Sequence, residues 1–236
     1  MTQMALPLRL ADHAVFESYL GTGNEALVAM LGDLADGRSG EGCWLWGVAA
    51  VGKTHLLQAV CDRAGDRSVY VPLRYLVDAG PEVLDGLASR DLICIDDIDT
   101  VARNTEWEAA LFALCNEVLD GERILIVSAA MSSRECPIAL ADLQSRLARL
   151  ATYQVHPLDE GQRALALQLR ARHRGLDLPD DTARYLLSRS RRDMASLYDL
   201  LDKLDLEALR AKRRLTIPFV REVLEYALLE RSSERD

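Results

Sequence analysis

Two regimes of hydrophobic patterning divide the chain, and the change falls near Pro157. Before it, short unbroken apolar runs occur at 43–46, 69–73, 92–96 and 124–128, with helically spaced stretches between them. Runs of that length, apolar on both faces and alternating with helices, predict a parallel sheet covered on each side. A first helix is expected at 24–34, followed by a Gly- and Ser-containing loop at 36–42. Beyond Pro157 the apolar positions recur at helical spacing only, over 159–174, 180–190, 194–209 and 218–229. Leu178-Pro179-Asp180-Asp181 and Thr216-Ile217-Pro218 supply helix-start signals, with proline or acidic residues in the first turn. The expected organisation is a flexible leader at 1–12, an α/β domain at 13–156 and a small all-α domain at 157–236. No internal repeat or low-complexity tract interrupts this pattern.

Composition narrows the picture in three ways. Hydrophobic residues make up 49% of 236 residues, enough for a packed core. The net charge of −9 makes free nucleic acid a poor partner for the surface as a whole. The five cysteines lack metal-ligand or C-x-x-C spacing, and the four histidines are scattered. Reduced, buried thiols in a cytoplasmic protein are expected. No apolar run is long enough to cross a bilayer, so no membrane association is expected.

The most specific signal is Gly47-Val48-Ala49-Ala50-Val51-Gly52-Lys53-Thr54, which fills G-x-x-x-x-G-K-[ST]. An apolar strand, Cys43-Trp44-Leu45-Trp46, runs into it, and a helical stretch beginning at His55 runs out. A loop in that context aims several backbone N–H groups and a helix N-terminus at one anion. Lys53 is expected to reach the outer phosphates and Thr54 to hold Mg²⁺. The alternative is a glycine-containing turn with a coincidental Lys-Thr. The second acidic signal, Leu92-Ile93-Cys94-Ile95-Asp96-Asp97, is a strand ending in two carboxylates. Asp96 is expected to assist Mg²⁺ and Asp97 to orient or polarise water; an acidic strand-to-loop junction is the alternative. Arg146 and Arg192 are candidate phosphate contacts, because the guanidinium carries a permanent charge and a fork of donors. On residue type alone, each reads rather as a surface arginine, since the chain has many.

Together these segments resemble the AAA+ ATPases, and within them the DnaA branch. Gly52-Lys53-Thr54-His55-Leu56-Leu57 is similar to that branch's phosphate loop and helix, and Ile93-Cys94-Ile95-Asp96-Asp97-Ile98 to its second acidic motif. Leu143-Gln144-Ser145-Arg146-Leu147 resembles the arginine-finger segment, and Ser190-Arg191-Arg192-Asp193-Met194 the start of the sensor-2 helix. The stretch from Phe16 through Tyr19 and Leu20 to Asn24 resembles the part that closes over adenine. The resemblance implies a AAA+ P-loop core with a parallel sheet, followed by a helical lid. It implies nucleotide contacts from Tyr19, Leu20, Gly47, Gly52, Lys53, Thr54, His55 and Arg192. It also implies that Arg146 acts in trans on a neighbour's γ-phosphate.

Residues 1–8 add Gln3, Met4, Leu6, Pro7 and Leu8, similar to the peptide with which bacterial proteins dock on the DNA polymerase sliding clamp. Gln3 suits a pocket rim, Met4, Leu6 and Leu8 suit apolar pockets, and Pro7 lowers the ordering cost. Alone, this stretch is equally a floppy terminus. With it, the chain resembles the Hda regulators. Initiators continue past the lid into a helix-turn-helix domain, whereas this sequence stops there, so direct origin binding is not expected. That resemblance implies bound ADP or ATP with Mg²⁺, the clamp β subunit and DnaA as partners, and DNA approached only through the clamp. It implies a cytoplasmic, nucleoid-associated protein. Ala129 stands near where initiators place an Asp, so weak intrinsic hydrolysis is expected. Ala50 replaces a third loop glycine, and binding is expected to survive this. The sequence leaves open whether ADP or ATP is resident and whether the chain self-associates. An ATP-hydrolysing helicase loader is the alternative reading. A small-molecule phosphate-loop kinase gives Arg146 and the N-terminal peptide no role.

Overall fold

The computed structural model describes residues 14–38, 40, 42–189 and 194–233, without the side chains of 195 and 226–233. The chain divides into two compact units. The first holds residues up to Phe16 and then Gly23–Pro157; the second holds Glu17–Thr22 and Leu158–Asp236.

The first unit opens with α1 (Glu25–Ala35), β1 (Gly42–Trp46), α2 (Lys53–Ala64), β2 (Ser68–Pro72) and the short α3 (Leu73–Leu76). It continues with β3 (Leu92–Asp96), α4 (Thr105–Asp120), β4 (Ile124–Ala129), α5 (Ala141–Leu147) and β5 (Ala151–Gln154). All strand pairs are parallel, in the order β2-β3-β4-β1-β5. The apolar runs become β1 to β4, whose central residues are buried because helices cover the sheet. Trp44, fully buried on β1, donates its indole N–H to the Met131 carbonyl at 3.0 Å, which satisfies the one polar atom of a core side chain. β5 has no counterpart among the four expected strands. Its sequence, Ala-Thr-Tyr-Gln, is largely exposed and pairs only with β1.

Asn24 precedes α1, where a capping side chain would be expected, but its amide does not cap the helix. It instead donates to the His156 carbonyl (3.1 Å) and accepts from the His156 N–H (2.9 Å). The two ends of the first unit are thereby joined.

α4 is capped by Asn104, whose side chain accepts from the N–H groups of Glu106 and Trp107. One turn into the helix, Glu108 is almost wholly buried. Its Oε1 accepts from the N–H of Arg103 (2.7 Å) and of Ala139 (2.9 Å). Its Oε2 accepts from the N–H of Leu140 at 2.7 Å and again from Ala139 at 3.1 Å. Burial pushes the Glu108 carboxyl upward, but the N–H groups of Ala139, Arg103 and Leu140 hold it below its ordinary value.

The second unit contains α6 (Glu160–His173), α7 (Asp180–Arg189), α8 (Met194–Ala211) and α9 (Ile217–Ser233). Asp159 and Gln162 form a reciprocal capping box at the start of α6. Leu167, Leu186, Leu201, Leu204 and Val220 form the centre of its core. The helices follow the spacing read from the sequence, with α9 reaching four residues further than expected.

Because the folded carboxyl of Glu108 titrates below its unfolded value, its stabilisation is present above the ordinary glutamate pKa of about 4.3 and is lost as pH falls through the lower folded value. Glu108→Gln is expected to lower stability by about 2–3 kcal/mol at pH 7. Denaturant titrations of both proteins should show the gap narrowing below about pH 4.

Candidate nucleotide site

The carboxyl ends of the parallel strands meet at one edge, the edge where open α/β sheets place their ligands. β1 delivers the loop 47–52 to this edge, β3 delivers Asp96 and Asp97, and β4, lying between them, delivers Ser128. Register fixes the meeting, since Leu45 pairs with Ser128 on β4 and Pro72 with Asp96 on β3.

The loop's shape depends on its glycines at two points. A Cβ at Gly47 would lie 2.8 Å from the Val155 carbonyl oxygen, so nothing larger fits without displacing backbone. Gly52 has φ 101° at the N-cap of α2, a conformation that side-chain-bearing residues rarely adopt. Ala50 is also left-handed, with φ 61°, at the place where the resemblance expects glycine. Its methyl group imposes a steric cost of about 1–2 kcal/mol there, against which the surrounding loop holds the backbone.

Lys53 begins α2 and is buried. Its ammonium donates to the carbonyls of Gly47 (2.7 Å) and Val48 (3.2 Å), so it lies back over the loop it follows. Burial lowers its pKa, and the carboxylates of Asp97, Asp96 and Asp99 act against that shift. Thr54 Oγ1 donates to Asp96 Oδ2 at 2.8 Å. Asp96 is itself buried and takes two further hydroxyl bonds, from Tyr70 at 2.8 Å and from Ser128. Burial and the adjoining Asp96 carboxylate push the Tyr70 phenol well up, so it remains a donor.

Asp97 follows in the left-handed region, φ 56°, a conformation aspartate tolerates better than most residues. Its N–H donates to Ser128 Oγ at 3.0 Å, and Arg74 Nε donates to its Oδ2 at 2.9 Å. Asp97 is therefore engaged in an ion pair rather than standing free. Ala129, next to Ser128, is completely buried and brings no polar atom to this edge.

The structure thus brings Gly47, Gly52, Lys53, Thr54, Asp96 and Asp97 together. His55 belongs to the same helix but turns elsewhere. Its Nε2 donates to the Val15 carbonyl at 2.9 Å, which ties the stretch ahead of α1 to α2. Arg146, in the last turn of α5, lies against α4 and pairs with Asp120 at 3.0 Å. Tyr19 and Leu20 belong to the second unit, where burial and the nearby Tyr198 raise the Tyr19 phenol's pKa. In that unit the Arg170 guanidinium stacks over Tyr198 at 4.2 Å. Arg192, Gln3, Met4, Leu6, Pro7 and Leu8 lie outside the described residues.

Three contributors escaped the sequence reading as site residues: Tyr70, Arg74 and Ser128. Tyr70, Arg74 and Ser128 sit on or next to strand ends of ordinary composition. Only the strand order, which sets β4 between β1 and β3, would have pointed to them.

The donor set suits a nucleotide carrying a divalent cation. A narrow glycine loop, a buried ammonium and a hydroxyl–carboxylate pair are the groups that such a ligand requires. Among the described residues no cluster of three or more His, Cys, Asp or Glu could hold a metal by itself. The five cysteines are buried and free, with Cys43, Cys115 and Cys136 pushed up to about 12 by burial. No described helix is long and apolar enough to cross a membrane.

A parallel sheet in this order bearing a phosphate loop, with a helical unit after it, has the AAA+ fold. Domain III of DnaA from Thermotoga maritima is similar over 91% of this chain and 96% of its own, at 20% identity and a TM-score of 0.74. AMPPCP-bound DnaA from Aquifex aeolicus is similar over 86% of this chain and 68% of its own, at 19% identity and a TM-score of 0.67. The RuvB Holliday junction branch migration motor of Thermotoga maritima is similar at 16% identity and a TM-score of 0.64, over 92% of this chain and 72% of its own. Residues 159–224 match the family model described as Hda, lid domain. Residues 159–224 are thus similar to the Hda lid, and the chain as a whole shares its fold with domain III of DnaA.

Replacing Ala50 by glycine should relieve the left-handed strain at this loop. Thermal unfolding of Ala50→Gly is expected to show a gain of about 1 kcal/mol, or about 2–4 °C in Tm for a chain of this size.

Proposed function

We propose that this protein is a nucleotide-bound regulator that inactivates the replication initiator DnaA by stimulating hydrolysis of DnaA-bound ATP. The observation that carries this reading is the Hda lid match at 159–224 on a DnaA-like core. In this reading the chain docks on the DNA-loaded sliding clamp through Gln3, Met4, Leu6, Pro7 and Leu8. It meets DNA only through that clamp, works in the cytoplasm and prevents re-initiation.

Its own nucleotide, ADP or ATP, would be held by the loop from Gly47 to Gly52 and by Lys53. The AMPPCP bound by the similar DnaA of Aquifex aeolicus supports an adenine nucleotide here. Thr54 and Asp96 would hold Mg²⁺, which when bound neutralises phosphate charge. Turnover in cis is weak in this reading for two reasons. Ala129 offers no hydrogen bond, and Asp97 is drawn to Arg74. Nucleotide then serves to set the state of the chain rather than to be consumed.

The work on DnaA falls to Arg146. A guanidinium brought to a neighbour's γ-phosphate stabilises charge that grows on the equatorial oxygens as the bond to the leaving group breaks. In related phosphoryl-transfer systems such a residue is worth about 10³–10⁵ in rate. The side chain sits on a short helix at the surface of the first unit, and its ion pair with the exposed Asp120 is weak enough to exchange for a phosphate.

A second reading, an ATP-hydrolysing helicase loader, is favoured by one observation: the Lys53, Thr54, Asp96 and Asp97 set is complete and assembled. The two readings separate in a turnover assay. The regulator shows little ATP hydrolysis alone and accelerates ADP formation on DnaA in the presence of clamp-loaded DNA. A loader turns over ATP without DnaA.

Under the regulator reading, Arg146→Ala should bind nucleotide like the wild type yet lose about 10³-fold of the stimulated rate. Lys53→Ala should weaken binding of ADP to this chain by about ten- to a hundredfold, measured by calorimetry.

A further inference from the structure

We infer that Glu108 is the positioning residue for Arg146, setting the place of the short helix that presents it. This rests on the reading of Arg146 as the group that acts on the partner's nucleotide.

α5 has seven residues and begins with no side-chain cap of its own. A helix so short gains little from its own hydrogen bonds. Its place in space must come from outside, and α4 supplies it at both ends. At the entry, the Glu108 carboxylate takes the N–H groups of Ala139 and Leu140, the two residues immediately before the helix. At the exit, Asp120, the last residue of α4, pairs with Arg146. Between them, Leu143 and Leu147 of α5 enter the same core as Leu111, Leu114, Cys115 and Val118 of α4.

The entry contact is the stiffer of the two. Glu108 is 2% exposed, and both of its oxygens are filled by main-chain donors. A buried carboxylate bonded to main chain at both oxygens allows the loop almost no freedom to slide. The same carboxylate holds Arg103, a left-handed residue just before α4, so the two helix starts share one anchor. The Asp120 pair, by contrast, is largely solvent-exposed and constrains only the guanidinium. Glu108 therefore sets the backbone from which Arg146 reaches, while Asp120 only steadies its tip. Glutamine at 108 keeps the shape but turns an amide N–H₂ toward main-chain N–H groups, so the entry loop must shift.

The test compares wild type, Glu108→Gln, Arg146→Ala and the double variant, at saturating concentrations of each. The readout is ADP formed from ATP bound to DnaA, with clamp-loaded DNA present. ADP binding to each variant is measured in parallel. Glu108→Gln is expected to lower the maximal rate at least tenfold with ADP binding unchanged. The double variant should be no slower than Arg146→Ala. A Glu108→Gln rate within twofold of wild type, or losses that multiply in the double variant, overturns the inference while leaving Arg146 in its role. If Arg146→Ala does not slow the reaction, the proposed function falls, and this inference with it. Hydrogen exchange on the wild-type chain gives a check that needs no variant. The amides of Ala139 and Leu140 are expected to exchange slowly, and rapid exchange at both overturns the inference.

Discussion

The Asp96 carboxylate is the contact on which the site depends. A buried charge is costly unless it is fully hydrogen-bonded, and this one is bonded by hydroxyls from three different elements. Thr54 comes from α2, Tyr70 from β2 and Ser128 from β4. Each hydroxyl satisfies the carboxylate only if its own element is in place. One side chain thereby fixes the phosphate loop's helix against three neighbouring strands. Ser128 extends the linkage by one residue, because its Oγ also accepts from the Asp97 N–H. The left-handed turn at Asp97 is thus held by the same network that holds Asp96.

Around that anchor, strain and constraint fall where a ligand would need them. Left-handed backbone occurs at Ala50 inside the loop and at Asp97 beyond β3. Residues in such conformations persist where surrounding contacts over-determine them. Lys53 is folded over loop carbonyls and Asp97 is paired with Arg74. The polar groups of the site are therefore satisfied internally and preorganised. A ligand would exchange these contacts for its own rather than order a loose loop. In the second unit, the buried Arg170 guanidinium stacks on the face of Tyr198.

The parts of this architecture that the sequence disclosed are those with a short-range signature. β1 to β4 were legible because a strand buried on both faces is a continuous apolar run. The helices after Pro157 were legible because their proline and acidic start signals lie within one turn. β5 was not, since an edge strand with exposed side chains carries no hydrophobic pattern and is specified by its partner β1. Asn24 was read only as the start of the first helix, whereas its side chain bonds to His156, far along the chain. Glu108 looked like any acidic residue in the first turn of a helix; its burial depends on a loop more than thirty residues later. In the site, the phosphate loop and the Asp96-Asp97 pair were visible as motifs. Tyr70, Arg74 and Ser128 became visible only with the strand order.

That strand order also dictates when the protein can assemble. β1 is made second among the elements, yet both of its sheet neighbours, β4 and β5, come much later. Its Cys43-Trp44-Leu45-Trp46 segment has no strand to pair with until residue 124 has been synthesised. The outer pair β2–β3 and the helix α2 are complete before then. Unit closure waits longer still, for His156 to meet Asn24. Contacts so distant in sequence slow folding, and an apolar strand with open edges is prone to join another chain. A nascent chain arrested between β3 and β4 would thus expose its most aggregation-prone segment. The nucleotide loop, which hangs from that strand, can take shape only in the last third of the first unit's synthesis.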